Sequence, residues 1–394
     1  MLQRVYIDNF RCFVNFELSL AQQQLILGLN GTGKSTLLDA LRHLKQLIAG
    51  DALPDVLFPY RSRTRWQSSP QQTFELHVML EDSSYRFRLE LESSGRQQKT
   101  CIKRESIFCE ERPLFEFVQG EVHLFNNESQ PKVAYPFDPF RSALATIQPQ
   151  PDNALLMKFK TWAGNLQCLE IAPRAMSKIT GQEDLQPAFN MSNFASWYRH
   201  VSQEQGAAAS KLQANLTQII PGWESLDLSA AGANSRILSA NVAFPTAVNA
   251  RGGYPVAFDE LSDGQRVLIA LYSLLHFVVK GDTCLFLDKP ENYIATPEIQ
   301  PWLMELRDRM DDYGGQVILI SHHPEIVDYL APDAGLVFER SGPGPVRVRK
   351  YASNSPLAPS EQIARGGSTM AKRVANSVLL VEDTNQENLL WRLS

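Results

Sequence analysis

The pattern of apolar and polar positions changes along this chain, and the changes predict where its secondary structure changes. Apolar runs within residues 4–7, 13–18 and 25–27 predict three strands near the amino terminus. Alternation of apolar and polar side chains within residues 73–125 predicts several strands joined as hairpins. The first third of the chain is therefore expected to be rich in β structure.

The pattern differs in the rest of the chain. Residues 140–225 are expected to be mainly helical, and residues 226–256 are small, polar and strand-like. Buried strands are predicted at 283–287 and 317–320, with a helix at 297–310 between them. Because strands that alternate with helices favour a parallel sheet, the predicted fold class is α/β.

These changes divide the chain into four expected units. The first two are a β-rich lobe at 1–135 and a mainly helical insertion at 136–250. The third is a second lobe with a parallel sheet at 251–350, and a carboxyl-terminal tail follows at 351–394.

Composition limits the class of protein. The 394 residues are 44% apolar and 21% charged, which is typical of a globular protein. The net charge of −5 argues against a protein coated in nucleic acid. The apolar run at 267–279 is too short to span a bilayer and is expected to form a buried helix. Five scattered cysteines suggest reduced thiols. We expect a cytoplasmic protein that does not bind a membrane.

The most informative segment is Gly-Leu-Asn-Gly-Thr-Gly-Lys-Ser-Thr at residues 28–36. It fits the phosphate-loop pattern and lies between an apolar strand and an amphipathic helix predicted at 35–47. Backbone N–H groups and the helix amino terminus of such a loop surround a polyphosphate. Lys34 is expected to reach the β and γ phosphates of ATP, and Ser35 to ligate Mg²⁺. The predicted nucleotide-binding residues here are Asn30, Gly31, Gly33, Lys34, Ser35 and Thr36.

Three downstream segments resemble the other motifs of ABC-type ATPases. Residues 258–266 are similar to the ABC signature, and residues 284–292 resemble a Walker B strand with the loop after it. Residues 317–324 resemble the strand that ends in the switch histidine. The four motifs occur in the family's order, and the resemblance covers residues 1–50 and 256–340.

The branch of this superfamily is indicated by the segment at residues 7–13. The sequence Ile-Asp-Asn-Phe-Arg-Cys-Phe at 7–13 resembles the SMC, RecF and OLD-like ATPases, which are not transporters. The inserted lobes look most like AAA_21 or AAA_15 ATPases. The resemblance implies a P-loop NTPase fold, an ABC ATPase head with a β-rich first lobe and a helical insertion.

The same resemblance implies a homodimer, or a higher homo-oligomer, with MgATP between subunits. Ser262, Gly264 and Gln265 would contact the nucleotide that the other subunit holds. Asp263 stands where the family usually has glycine, and it places an anion close to that phosphate.

Hydrolysis is left open by the residues after the Walker B strand. Asp288 is expected to hold Mg²⁺, but Lys289 occupies the position of the usual catalytic glutamate. A lysine cation does not act as a general base near neutral pH, although it could pair with the γ-phosphate. Glu291 matches another position of the motif and is not assigned the catalytic role.

Three further motif positions are less direct. His322 or His323 is expected to sense the γ-phosphate, and His322 is preferred because Ser321-His322 aligns best with the switch. Arg11 is either close to the nucleotide or a solvated residue at a strand end. The glutamine of the Q-loop is not identifiable among Gln67, Gln71 and Gln72.

Two weaker signals remain. Arg61, Arg63 and Arg65 alternate with other residues in a segment bounded by aromatics, which could bind a phosphate backbone, although a solvated loop is favoured. Residues 377–390 resemble the first strand and helix of a Toprim domain, but a docking segment without a catalytic role is preferred.

The expected function is an ATP-binding protein that dimerises around MgATP and gates or senses for a partner effector. The resemblance suggests a nuclease or toxin as that effector, in anti-phage defence. Two alternatives stay open: a RecF-like DNA-repair ATPase that binds DNA directly, and a scaffold that binds ATP without hydrolysing it.

Overall fold

Two large sheets organise the chain in this computed structural model, which describes residues 1–93, 99–243, 253–353 and 356–365. The strands are β1 Leu2–Asp8, β2 Phe16–Ser19, β3 Gln23–Leu27, β4 Gln71–Leu80, β5 Ser83–Ser93, β6 Thr100–Cys109, β7 Arg112–Val118, β8 Glu121–Phe125, β9 Pro131–Pro136, β10 Gln167–Leu169, β11 Ile179–Thr180, β12 Trp223–Ala230, β13 Arg236–Val242, β14 Tyr254–Ala257, β15 Gly281–Asp288, β16 Gly314–Ile320, β17 Gly335–Arg340 and β18 Val346–Lys350. The helices are α1 Lys34–Ala49, α2 Pro54–Leu57, α3 Ala143–Thr146, α4 Ala154–Asn165, α5 Phe194–Glu204, α6 Gly206–Ile219, α7 Asp263–Phe277, α8 Thr296–Tyr313 and α9 Pro324–Ala334.

The first sheet has eight strands in the order β2-β1-β4-β5-β6-β7-β8-β9, and neighbouring strands are antiparallel. Its side chains follow the period of two that a half-buried strand requires. On β5, Phe87 and Leu89 are buried while Arg86 and Arg88 lie on the other face. The predicted β-rich first lobe is confirmed.

The second sheet is mainly parallel, with the order β10-β15-β16-β3-β17-β18. The strand before the phosphate loop, β3, lies between β16 and β17 and runs parallel to both. Because the carboxyl ends of parallel strands meet at one edge, the loops after β3, β15 and β16 come together there. This arrangement brings the phosphate loop close to residues more than 250 positions away.

Apolar side chains cover both faces of the parallel sheet. On β15, Phe286 belongs to the core shared with α1 and the antiparallel sheet, whereas Leu285 and Leu287 belong to the core shared with α7, α8 and α9. Alternate residues of a strand point to opposite faces, so one strand contributes to both cores.

Some element bounds differ from the sequence prediction. The strand expected at 13–18 begins only at Phe16, because Phe10 and Phe13 close a tight turn through two backbone hydrogen bonds. Strand β10 lies in the segment expected to be mainly helical, and it pairs with β15. The strands predicted at 283–287 and 317–320 are confirmed as parts of β15 and β16.

In the described part of the chain, no helix combines the length and apolar character needed to cross a bilayer. The Toprim-like segment at 377–390 lies outside the described residues.

Candidate nucleotide-binding site

The phosphate loop joins β3 to α1 and has a backbone that only glycine adopts without strain at two positions. Gly28 has a φ of 147°, and an added Cβ there would lie 2.5 Å from the carbonyl oxygen of Phe338. Gly33 has a φ of 95° and is the residue that precedes α1. The loop can therefore approach β17 closely and present the amino terminus of α1 to an anion.

Lys34 is the first residue of α1, and it is 7% exposed. Its ammonium group donates hydrogen bonds to the carbonyl oxygens of Gly28 and Leu29, the latter at 3.0 Å. Burial lowers the pKa of Lys34, and the negative charge of Asp288 opposes that shift. The ammonium is thus held within the loop whose N–H groups are expected to bind phosphate.

A cavity of about 560 Å³ opens beside this loop. It has the size of a typical site for a small ligand. Its lining brings together nine residues that the sequence predicted for the site, namely Arg11, Asn30, Gly31, Gly33, Lys34, Ser35, Thr36, Asp288 and Lys289.

Arg11 is one of these lining residues, so it does not lie apart from the phosphate loop. Its Nη1 lies 2.5 Å from Oδ2 of Asp39, a residue of α1. Its guanidinium lies 5.2 Å from the ring centroid of Phe10. These contacts hold the arginine between the first turn of the chain and the helix that follows the phosphate loop.

The carboxylate of Asp288 fits the requirements of a Mg²⁺ ligand. The side chain is 6% exposed, and its Oδ1 is buried without a hydrogen-bond partner in the described structure. Its Oδ2 lies 3.5 Å from the hydroxyl oxygen of Ser35. Burial raises the pKa of Asp288, while Lys289 and Lys34 lower it. A hydroxyl beside an unpaired carboxylate oxygen is a donor set that suits Mg²⁺ bound to a nucleotide, where the ion neutralises phosphate charge.

Lys289 follows Asp288 and has the left-handed φ of 50°. Its backbone N–H donates to the carbonyl oxygen of Ile320 at 2.8 Å, which connects the end of β15 to the end of β16. Its side chain is exposed and lines the cavity. A cation therefore occupies the place where the family usually has a carboxylate.

Glu291 lies nearby but makes a different contact. Its Oε1 accepts a hydrogen bond of 2.7 Å from the hydroxyl of Ser321, and its Oε2 is buried without a partner in the described structure. The same hydroxyl oxygen accepts from the backbone N–H of His323 at 2.9 Å. Glu291 thus supports the loop that carries the predicted switch histidine.

His322 lies on the other side of the phosphate loop. It lines a second cavity, of about 490 Å³, together with Gly28 and four following residues of the loop. Partial burial lowers the pKa of His322, and the charges of Lys34 and Lys289 lower it further. An imidazole that is neutral at pH 7 can donate a hydrogen bond to phosphate without adding another positive charge.

The signature segment is placed differently. Ser262 is exposed and caps α7: its hydroxyl accepts from the backbone N–H of Gln265 at 3.1 Å, and its own N–H donates to the Gln265 side chain at 3.0 Å. Neither Ser262, Gly264 nor Gln265 lines the two cavities beside the phosphate loop. The structure does not bring these three residues to the nucleotide site of their own chain.

Asp263 does not present an unpaired anion at this helix end. It accepts from Nε of Arg174 at 2.9 Å and from Arg266 at 2.6 Å, and Arg266 also donates to the carbonyl oxygen of Pro173. The Arg174 side chain is 80% exposed. The departure from the usual glycine is therefore compensated by two arginines, one of them accessible.

The arginine-rich segment at 59–66 lies beside the phosphate loop. Arg61, Arg63, Arg65 and Trp66 line the first cavity, and Arg61, Arg65 and Trp66 are exposed, as a solvated segment would be. Arg63 lies 4.2 Å from the ring centroid of Tyr60. The available signal was the three arginines at alternate positions between Tyr60 and Trp66.

Arg340 also lines the cavity, although no motif indicated it. It lies at the end of β17, and its guanidinium carbon is 5.5 Å from the ring centroid of Trp66. None of Gln67, Gln71 and Gln72 lines the two cavities beside the loop. Gln72 instead donates to the carbonyl oxygen of Asn9 at 3.0 Å.

Comparisons with known proteins match this architecture. The family model "AAA ATPase domain" (AAA_15) matches residues 1–115, and the model "AAA domain, putative AbiEii toxin, Type IV TA system" (AAA_21) matches residues 185–328. No curated protein matches the chain.

Similar solved structures include three heads of SMC proteins. The SMC head domain from Thermotoga maritima is 12% identical, with a TM-score of 0.46 over 89% of this chain and 99% of that one. An SMC head bound to the C-terminal winged-helix domain of ScpA is 10% identical, with a TM-score of 0.49 over 89% and 98%. The Pyrococcus furiosus SMC head bound to the C-terminal domain of ScpA is 9% identical, with a TM-score of 0.47 over 89% and 96%.

The two family models cover the phosphate loop and the segment that runs from the helical insertion through the signature and Asp288 to the switch histidine. The phosphate loop and Asp288 lie at one edge of the parallel sheet, and the signature lies at the start of α7. Two separate parts of this chain, residues 1–115 and 185–328, are therefore each similar to a family model of an AAA ATPase domain.

Proposed function

We propose that two copies of this chain bind two ATP molecules between them, and that the ATP-bound dimer controls a partner protein. One observation carries the proposal: each chain has the phosphate loop and the signature helix, but in two separate places. Ser262 is exposed and lines neither cavity beside Lys34. Each site is therefore incomplete until Ser262 of the partner subunit covers it.

Different residues would bind different parts of the ATP and Mg²⁺ complex. Lys34 supplies positive charge to the phosphates, and Ser35 with Asp288 would hold Mg²⁺, which neutralises charge on the β and γ oxygens. His322 would act from the second cavity, which shares Asn30 and Gly31 of the phosphate loop with the first. In the dimer, the exposed amino terminus of α7 and the accessible Arg174 would face the triphosphate of the other chain.

The proposed role is that of a switch with slow turnover. The residue directly after Asp288 is Lys289 rather than a carboxylate, so the usual general base is replaced by a cation. ATP would then remain bound for long periods, and the dimer would persist. A long-lived ATP state suits a sensor that holds an effector in one condition until a signal releases it.

A role in defence against phage is proposed for the effector system. The description of the AAA_21 model, with its toxin and its type IV toxin–antitoxin system, supports a nuclease or toxin as the controlled partner. The proposal concerns the partner and the trigger, which the ATP site itself does not specify.

Light scattering tests the dimer directly. With ATP and Mg²⁺ we expect the mass to rise from 44.3 kDa to twice that value. Lys34→Ala should bind ATP at least tenfold more weakly and stay monomeric, because it lacks the phosphate-binding ammonium. Ser262→Arg should stay monomeric but still bind ATP through Lys34 of its own chain, because it changes only the face presented to the other copy.

A matched control variant makes that experiment decisive. Ser210→Arg introduces the same side chain at an exposed serine on α6, and it should dimerise like the wild type. If the wild type binds ATP and remains monomeric, or if Ser262→Arg dimerises as well as the wild type, the proposal of a shared site is wrong.

Direct binding of DNA is the second candidate function. The observation that favours it is the wall of Arg61, Arg63 and Arg65 beside the exposed Trp66, since arginines and aromatic rings bind nucleic-acid backbones and bases. Salt-sensitive DNA binding that is weakened by Arg61→Gln and Arg65→Gln would support it.

A further inference from the structure

The first cavity has an unusual balance of charge for a site that holds a metal–nucleotide complex. Seven of its fifteen lining residues are cationic: Arg11, Lys34, Arg61, Arg63, Arg65, Lys289 and Arg340. One lining residue, Asp288, is acidic. The whole chain carries a net charge of −5, so the positive charge is concentrated here. A triphosphate is well matched to this cavity even when no divalent ion accompanies it.

Lys289 is the cation closest in sequence to the predicted metal ligand. Its backbone is fixed at the end of β15 by the hydrogen bond to Ile320, and the N–H of Asn292 donates to its carbonyl oxygen at 3.1 Å. Its charge acts on Asp288 and on His322, residues that lie on two sides of the phosphate loop. The Lys289 ammonium group is thus placed in the region expected to hold the γ-phosphate and the ion.

A glutamate at this position would act in the opposite way. It would add a negative charge beside Asp288, and a divalent cation would then be needed to bring phosphates next to two carboxylates. A lysine removes that negative charge and adds a positive one. It attracts the phosphates directly and repels Mg²⁺, so the free energy gained from the ion becomes smaller.

We infer that this site binds nucleoside triphosphates without requiring a divalent cation, with Lys289 supplying the positive charge that the ion otherwise contributes. The inference rests on the proposed ATP site and adds the ionic form of its ligand. Ser35 and Asp288 still provide a place for Mg²⁺, but occupancy of that place is not a condition for binding. ATP and other nucleoside triphosphates would bind as free polyanions.

Affinity for ATP with and without Mg²⁺ tests this inference. Isothermal titration calorimetry on the full chain, in MgCl₂ or in EDTA at equal ionic strength, gives the two dissociation constants. For the wild type we expect their ratio to stay within about threefold, less than 1 kcal/mol. For Lys289→Gln we expect ATP affinity in EDTA to fall at least tenfold relative to affinity in Mg²⁺.

Arg65, another cation that lines the first cavity, provides the matched control. Arg65→Gln removes one exposed cation from the same lining without changing the residue beside Asp288. It should weaken ATP binding by the same factor in Mg²⁺ and in EDTA. Thermal unfolding without nucleotide shows whether each variant is folded before its affinity is compared.

The outcomes separate this inference from the proposed function. If wild-type affinity is more than tenfold weaker in EDTA than in Mg²⁺, the inference is overturned while the ATP site stands. The inference is also overturned if Lys289→Gln has the same ratio of ATP dissociation constants in EDTA and in Mg²⁺ as the wild type. If the folded wild type binds ATP in neither condition, the proposed function itself fails.

Discussion

At the scale of single residues, the account depends most on the identity of Lys289. Its N–H donates to the carbonyl oxygen of Ile320, and its neighbour Asp288 lies beside Ser35. Lys289 places a cation where the resemblance leads us to expect a carboxylate. We therefore expect a substitution at this one position to separate binding from hydrolysis.

Replacing that lysine should restore hydrolysis. In Lys289→Glu a carboxylate could orient or deprotonate water, and general base catalysis typically contributes a factor of about 10²–10⁴. We expect phosphate release with Mg²⁺ to rise at least tenfold over the wild type. Phosphate release under single-turnover conditions is the measurement.

Lys289→Gln separates the effect of a new base from the loss of a cation. It should release phosphate no faster than the wild type, because an amide cannot accept the proton. A wild type that already hydrolyses ATP as fast as Lys289→Glu would contradict the assignment of this position.

The residues of the site differ in how well the sequence predicts them. The phosphate loop is continuous, so its pattern identified Lys34 and Ser35 directly. Asp288 was found because it follows a buried apolar strand. Arg340 could not be found in this way, since its place in the cavity arises from the pairing of β17 with β3.

At the scale of elements, one buried carboxylate connects the antiparallel sheet to the helical region. Glu105 lies on β6 and is fully buried. Its Oε1 accepts from the hydroxyl of Ser142 at 2.7 Å, and its Oε2 from the N–H of Leu144 at 3.5 Å. Burial raises the pKa of Glu105 to about 7, although these bonds and Lys160 oppose the shift.

This raised pKa predicts a pH-dependent cost in stability. The unfolded chain releases the proton near pH 4.5, whereas the folded chain keeps it until about pH 7. Compared with a chain that has a neutral side chain at position 105, the wild type should therefore lose stability as the pH rises through this window. Above it, the difference should become constant. The unfolding free energy of Glu105→Gln minus that of the wild type should therefore increase by up to about 3 kcal/mol as the pH rises.

Urea unfolding at pH 5 and pH 8 measures that shift. Glu116→Gln is a suitable comparison, because Glu116 pairs with Arg104 at 3.1 Å on a solvated part of the same sheet. The unfolding free energy of Glu116→Gln minus that of the wild type should not increase as the pH rises. Equal differences between wild type and Glu105→Gln at both pH values would contradict the role given to burial.

Elements with a strong pattern were predictable and short ones were not. Helix α7 was expected as a buried helix, and eleven consecutive residues from Val267 to Phe277 are buried. Strand β10 has three residues, which is too few for a period to be visible, and its pairing with β15 depends on the folded core. Long periodic segments carry their own signal, whereas short edge strands depend on their neighbours.

At the scale of the whole molecule, the parallel sheet divides the four motifs into two groups. The phosphate loop, Asp288 and His322 meet at the carboxyl edge of the sheet, while the signature begins α7 elsewhere on the surface. The order of motifs in the sequence indicated this family. It did not indicate that Asp263 is neutralised by Arg174 and Arg266, because Arg174 comes from the helical insertion.

The sharing of one nucleotide by two copies is the central claim, and cysteine cross-linking tests it most directly. Leu29 in the phosphate loop is 55% exposed, and Ser262 is also exposed. A chain carrying Leu29→Cys is mixed with a chain carrying Ser262→Cys, under mild oxidation, with and without ATP. Ser210→Cys in place of Ser262→Cys, and the wild type alone, are the controls.

The account predicts a disulfide-linked dimer of twice the 44.3 kDa chain mass, formed only from the Leu29→Cys and Ser262→Cys mixture and only with ATP. Failure of that pair to cross-link in ATP, or equal cross-linking by the Ser210→Cys control, would contradict it.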